Sequence, residues 1–248
     1  MPPMNNSYIQ SLELQRDTID SFENYPFNLD VIKHLEKIDF HKNVTFILWE
    51  NGTGKSTLLE ALAIQYWFNP EWWSKNFNFT TQDTHSELSE KITLAKWFIR
   101  PKDAYFLRAE SFYNLATNID ELEKDWWWMY DYYWWKSLHA QSHWESFFSL
   151  FLHRFFWNWI YILDEPEAAL SPEKQLAFLV RLDELVKKNS QFIIITHSPI
   201  ILSYPNSKII EITDTWISEV NYKDTKHFNT YKMFLDNPEY MLKKLGIY

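Results

Sequence analysis

Short apolar runs alternate along this chain with longer stretches of helical spacing. "YIQSLELQ" alternates apolar and polar positions and predicts a strand, as do "KIDF" and "VTFILW". "KSTLLEALAIQYW" follows at once and carries apolar residues at helical spacing. Residues 68–90 are polar and predict no definite element. "AYFLRAE" predicts a strand and "SFYNLATNIDELE" a helix. Residues 125–135 are aromatic and irregular, and "SFFSLFLHRFF" is helical in pattern. "WIYILDEPE" reads as a buried strand ending in acids. "PEKQLAFLVRLDELVKKN" is an amphipathic helix, opened by Pro172 and closed by Lys187 and Lys188, as the helix dipole favours. "QFIIITHS" is a further apolar strand. "KIIEI" and "ISEVNY" predict a terminal hairpin, and the tail after Lys226 predicts helix. The alternation predicts an α/β fold with a mainly parallel central sheet.

Length and composition narrow the picture. The 248 residues suit one sizeable domain. The formal net charge of -9 argues against a surface built as a whole to hold nucleic acid, although a local basic patch remains open. No run is long and apolar enough to span a bilayer. The N-terminal "MPPMNNSYIQ" lacks a basic stretch followed by an apolar one, so no signal peptide is expected. With 0 cysteines, no disulfide or cysteine metal site exists, which fits a reducing, cytoplasmic setting. Glycine is scarce, 3 residues against 14 tryptophans, and Trp stands where turns would suit glycine. "TDTWISEV", a hairpin turn suited to Asp-Gly, is one case. This imbalance suggests a perturbed version of a glycine-richer sequence.

The candidate chemistry begins at "LWENGTGKST", residues 48–57, between a strand and a helix. Gly52 and Gly54 let backbone N–H groups turn toward phosphate oxygens, with Glu50, Asn51 and Thr53 completing the loop. Lys55 would set its ammonium on the β- and γ-phosphates. Ser56 would offer a hydroxyl to Mg²⁺, and Thr57 would support the α-phosphate. The pattern G-x-x-x-x-G-K-[ST] fails only at Trp49; the alternative is an ordinary turn before a helix. In "IYILDEPE", Asp164 would hold the Mg²⁺ shell and Glu165 would take a proton from attacking water. Alternatively, both carboxylates cap the next element. In "IIITHS", His197 ends an apolar strand at the edge where open α/β sheets bind ligands, though it could be structural.

The order phosphate loop, acidic strand, helix, strand with His resembles the ABC-type ATPases over most of the chain. The resemblance implies a P-loop NTPase with N-terminal antiparallel strands. It also implies a small helical subdomain over roughly 111–156, inside a single domain, 1–248. It implies ATP and Mg²⁺ as ligands. It further implies a head-to-tail dimer in which each ATP lies between one chain's phosphate loop and the other's signature. "QSHWESF" occupies the signature place, so Ser142 and Glu145 would contact the partner's nucleotide. "AALSP", Ala168 to Pro172, would face the partner subunit. In "FLRAESF", Glu110 would sense Mg²⁺ and water, or serve as a helix N-terminal acid. Glu165 would activate water and His197 would steady the γ-phosphate. The wording "DEPEAALSP" is closer to stand-alone ATPases related to chromosome-structure and DNA-repair proteins than to transporter subunits. Nucleic acid or an effector protein would then be a further partner. A transporter's ATPase subunit, a fold that has lost turnover, and a perturbed sequence are the competing readings. Trp49, placed beside the phosphates, and Trp144, in the signature, predict weak nucleotide binding and little ATP-dependent dimerisation.

Overall fold

A computed structural model describes residues 7–49, 54–66, 84–108, 157–213 and 215–247. Its strands are β1 (Ile9–Leu14), β2 (Lys37–Asp39), β3 (Val44–Trp49), β4 (Ile92–Lys96) and β5 (Asp103–Arg108), followed by β6 (Trp159–Asp164), β7 (Gln191–Ile195), β8 (Ser207–Ile212) and β9 (Ile217–Val220). Its helices are α1 (Asp30–His34), α2 (Lys55–Gln65), α3 (Thr84–Lys91) and α4 (Pro172–Lys187), then α5 (Pro199–Leu202), α6 (Lys226–Asp236) and α7 (Pro238–Lys244).

The central sheet has the order β5-β6-β7-β3-β8-β9. It is parallel from β5 through β8, and β9 returns antiparallel as the expected terminal hairpin. β3 is buried at every position, which is why "VTFILW" reads as a continuous apolar run rather than an alternation. Its two faces feed two cores. Ile47 and Trp49 join Ile162, Ile193 and Ile195, beneath Leu58 and Leu62 of α2. Phe46 and Leu48 join Tyr161, Leu163 and Phe192, beneath Phe178, Leu182 and Leu185 of α4. The period-2 alternation of a strand produces this split. α4 starts at Ser171, whose hydroxyl accepts from the Lys174 N–H at 3.4 Å, with Pro172 in the first turn.

A second sheet, β2-β1-β4, is antiparallel throughout, as expected of the N-terminal strands. β4 and α3 were not foreshadowed by the sequence pattern. β4 places only Ile92 fully in the core, and Thr93, Ala95 and Lys96 are exposed, so it lacks an apolar signature. The two sheets are joined by Gln191. Its amide donates to the carbonyls of Ile9 (2.8 Å) and His41 (3.0 Å), and its Oε1 accepts from the Ile9 N–H (2.9 Å).

The predicted helix 111–123, the aromatic stretch 125–135 and the helical subdomain of 111–156 lie outside the described residues. Among the described residues, positive φ angles fall on Asn158, Glu165, Asn189, Asn206, Gly54 and Gly246. None of the described tryptophans adopts one. The turn with Trp216 closes through the Thr213 N–H donating to the Trp216 carbonyl at 2.9 Å, without left-handed backbone at Trp216. At these positions Trp is not forced into a glycine conformation.

Candidate functional site

β3, β6 and β7 are parallel, so their C-terminal ends open on one edge of the sheet. Brought together there are Gly54 and Lys55 after β3, Asp164 and Glu165 at the end of β6, and His197 two residues beyond β7. The edge of an open α/β sheet is where ligands bind.

Gly54 caps α2 with φ 98°, a left-handed conformation natural to glycine. A Cβ there would stand 2.7 Å from Cδ1 of Leu29. The first turn of α2 holds no acidic residue, so its N-terminal partial positive charge is not neutralised locally. The Lys55 ammonium binds the Glu165 carboxylate directly and lies 3.6 Å from Asp164 Oδ1. Burial alone would lower its pKa. The hydrogen bond to Glu165 and the charges of both carboxylates outweigh that and hold Lys55 above its ordinary value. Thr57 is buried, and its hydroxyl shares a hydrogen bond of 3.1 Å with the Tyr25 hydroxyl.

Glu165 has φ 50° and ψ 53°, an uncommon conformation for a residue with a side chain. Holding it costs on the order of 1–3 kcal/mol and marks sites where backbone direction matters. Its N–H donates to the Ile195 carbonyl at 2.9 Å, which pins the end of β6 against β7. Glu165 Oε1 is 3.6 Å from His197 Nε2. One carboxylate therefore lies between Lys55 and His197.

Three groups that sequence reasoning missed hold His197. Glu167 accepts from the His197 N–H at 2.5 Å and from the Thr196 hydroxyl at 2.8 Å. Burial raises the Glu167 carboxyl above its usual range, and those two hydrogen bonds partly offset the shift. Ser198 donates to Gln175 Oε1 at 2.5 Å, fixing the chain just after His197. His227, on the first turn of α6, meets His197 Nδ1 through its Nε2 at 3.1 Å. Glu167 stood inside "DEPEAALSP" but resembled a surface acid. His227 is separated from His197 by 30 positions, and no motif links them.

Glu50, Asn51, Gly52, Thr53, Glu110, Ser142 and Glu145 lie outside the described residues. The side chain of Ser56 does too, although its backbone is in α2. Trp49 is 2% exposed, with its indole packed in the core on the α2 face of the sheet. This burial bears against the expectation that the ring crowds the phosphates. The ring fills apolar space because position 49 alternates in phase with Ile47.

A family model described as AAA domain matches residues 18–124. No curated protein matches the sequence. Among solved structures, the SMC head domain from Thermotoga maritima is 15% identical, with 86% of this chain and 99% of that chain covered and a TM-score of 0.46. The cbiO1 protein from Clostridium perfringens, part of the ABC transporter complex cbiONQ, is 18% identical, with 94% of this chain and 96% of that chain covered and a TM-score of 0.46. The chain is thus similar to an AAA-domain family over residues 18–124 and to ABC and SMC ATPase structures over most of its length, and its central sheet is mainly parallel. No helix among the described residues is long and apolar enough to cross a membrane.

Proposed function

We propose that this chain binds and hydrolyses ATP at the C-terminal edge of its central sheet, in the manner of a stand-alone ABC-type ATPase. The observation that carries the reading is Lys55, held between Asp164 and Glu165 beside His197. A lysine at a helix N-terminus with two strand-end carboxylates is a charge set made for a nucleotide phosphate and its cation.

The residues present fit that ligand. Among the described residues the ammonium is held by the two carboxylates, so a phosphate can take it over and leave Asp164 facing a cation. Mg²⁺ in such sites is bound through one or two carboxylates plus substrate phosphates, and Asp164 with the Ser56 hydroxyl would serve. Bound there, the cation would neutralise phosphate charge. Lys55 binds the β- and γ-phosphates, and the N–H groups opening α2 bind phosphate oxygens. Glu165, freed from Lys55, accepts a proton from the attacking water. His197 holds the γ-phosphate through Nε2. Gly52, Thr53, Glu50 and Asn51 complete the loop, and Thr57, hydrogen-bonded through its hydroxyl to Tyr25, supports the α-phosphate.

In the dimer of this reading, Ser142 and Glu145 of one chain close on the nucleotide of the other, and Glu110 senses the cation. This reading sets the protein in the cytoplasm, which the cysteine-free composition fits. Impairment by Trp49 and Trp144 belongs to the same reading, and the burial of the Trp49 ring argues against a direct clash with the phosphates.

Calorimetric titration with Mg²⁺ and ATP tests it. Binding in the wild type that weakens by about tenfold or more in Lys55→Ala supports the proposal. Equal affinities, or no binding at all, contradict it.

A further inference from the structure

The pair formed by His197 and His227 carries information beyond the site's charge set. His197 Nδ1 and His227 Nε2 are 3.1 Å apart, and two nitrogens at that distance share one proton. On a neutral pair this proton can sit in two ways. In the first, His197 donates from Nδ1. Its Nε2 is then a bare lone pair 3.6 Å from the Glu165 carboxylate, a repulsive arrangement. His227 must then carry its proton on Nδ1, which is buried and meets no hydrogen-bond partner among the described residues. The first arrangement therefore combines a repulsion with a buried, unsatisfied N–H.

In the second arrangement His227 donates from Nε2 to His197 Nδ1. His197 then carries its proton on Nε2 and aims it at the anionic side of the site. His197 Nε2 is likewise buried with no hydrogen-bond partner among the described residues, but its N–H then faces the Glu165 carboxylate 3.6 Å away, an attraction in place of the repulsion, and His227 Nδ1 is left bare. The tautomer of a ligand-facing histidine is set by the bond its other nitrogen makes.

We infer that His227 is a positioning residue that fixes His197 as the Nε2–H tautomer, so that His197 donates to the γ-phosphate instead of presenting a lone pair to it. This inference rests on the ATPase reading for its ligand, while its tautomer stands on the protein alone. The groups facing His227 agree with a neutral donor. Its pKa lies below the ordinary value through burial, the neighbouring His197 and Lys226 of its own helix. Glu167 is turned to the His197 backbone, and Glu165 lies beyond His197. The arrangement also ties α6 to the site, because His227 sits one residue inside that helix, just after the Thr225 cap.

Long-range ¹H–¹⁵N correlation of the imidazoles tests this on nucleotide-free protein at about pH 8, above the ordinary histidine range. The expected wild-type result is His197 as Nε2–H. A wild-type His197 carrying Nδ1–H overturns the inference. In His227→Phe, which has no donor, His197 should move to a mixture or to Nδ1–H. In His227→Gln, whose amide can donate, it should return to Nε2–H. Retention of Nε2–H in His227→Phe also overturns it. If the wild type hydrolyses ATP, kcat should fall about tenfold or more in His227→Phe with KM nearly unchanged, and His227→Gln should recover. An unchanged kcat in His227→Phe counts against the inference alone. A wild type without ATP binding or turnover sinks the ATPase reading, and the imidazole spectra still decide the tautomer.

Discussion

Replacing Gly54 by alanine perturbs the entry to α2 in two separable ways. The backbone sits at φ 98°, and an L-residue in left-handed conformation costs about 1–2 kcal/mol. The new Cβ would lie 2.7 Å from Leu29 Cδ1 and 3.3 Å from its Cβ and Cγ. Leu29 is half-buried and packs against the core, so overpacking adds up to about 1–3 kcal/mol. Together these give about 2–5 kcal/mol. A chain of this size loses about 2–4 °C of Tm per kcal/mol, so Gly54→Ala should lower Tm by about 4–20 °C. Thermal unfolding followed by circular dichroism reads this out. The two parts separate in a cycle with Leu29→Ala, a variant that removes the nearest obstructing atom, Cδ1, and Cγ while keeping Cβ. In that background Gly54→Ala should cost only the conformational part. A fall in Tm below about 2 °C, or an equal cost in both backgrounds, would refute the reasoning.

Other expectations follow from the packing and the hydrogen bonds. Trp49→Gly should destabilise the protein by at least about 3–5 kcal/mol in urea unfolding, since it empties a core position; a neutral result would contradict the burial of the ring. Gln191→Leu leaves the Ile9 N–H, the Ile9 carbonyl and the His41 carbonyl without their shared partner. It should cost about 2–4 kcal/mol, and amide exchange should accelerate at Ile9. Glu167 has a folded pKa above its ordinary 4.5, chiefly through burial. Its stabilising contribution is full below 4.5 and is lost as pH rises through the raised value. The stability difference between wild type and Glu167→Gln should therefore shrink across that window, and a difference that grows would contradict the assignment.

The sequence made the parallel sheet legible because its strands are buried on both faces and read as unbroken apolar runs. It made the edge residues legible because polar chemistry interrupts those runs at their ends: Lys55 after "VTFILW", Asp164 and Glu165 after "WIYIL", His197 after "QFIII". The supports of the site were not legible. Glu167, Gln175 and His227 act on His197 and Ser198 across 23 to 30 positions, through contacts that no local period encodes. Gln191 looked like a polar start to an apolar strand, and only the placement of β1 gives it a task. Trp49 shows what the motif, read as a string, leaves out. Its phase within β3, shared with Ile47, decides where the ring goes.

Steady-state hydrolysis of ATP with Mg²⁺ tests the central claim most directly, comparing wild type with Glu165→Gln. The account expects turnover in the wild type and its loss, by about a hundredfold or more, in Glu165→Gln with ATP binding retained. Equal rates in the two proteins, or no turnover in a folded wild type, would contradict it.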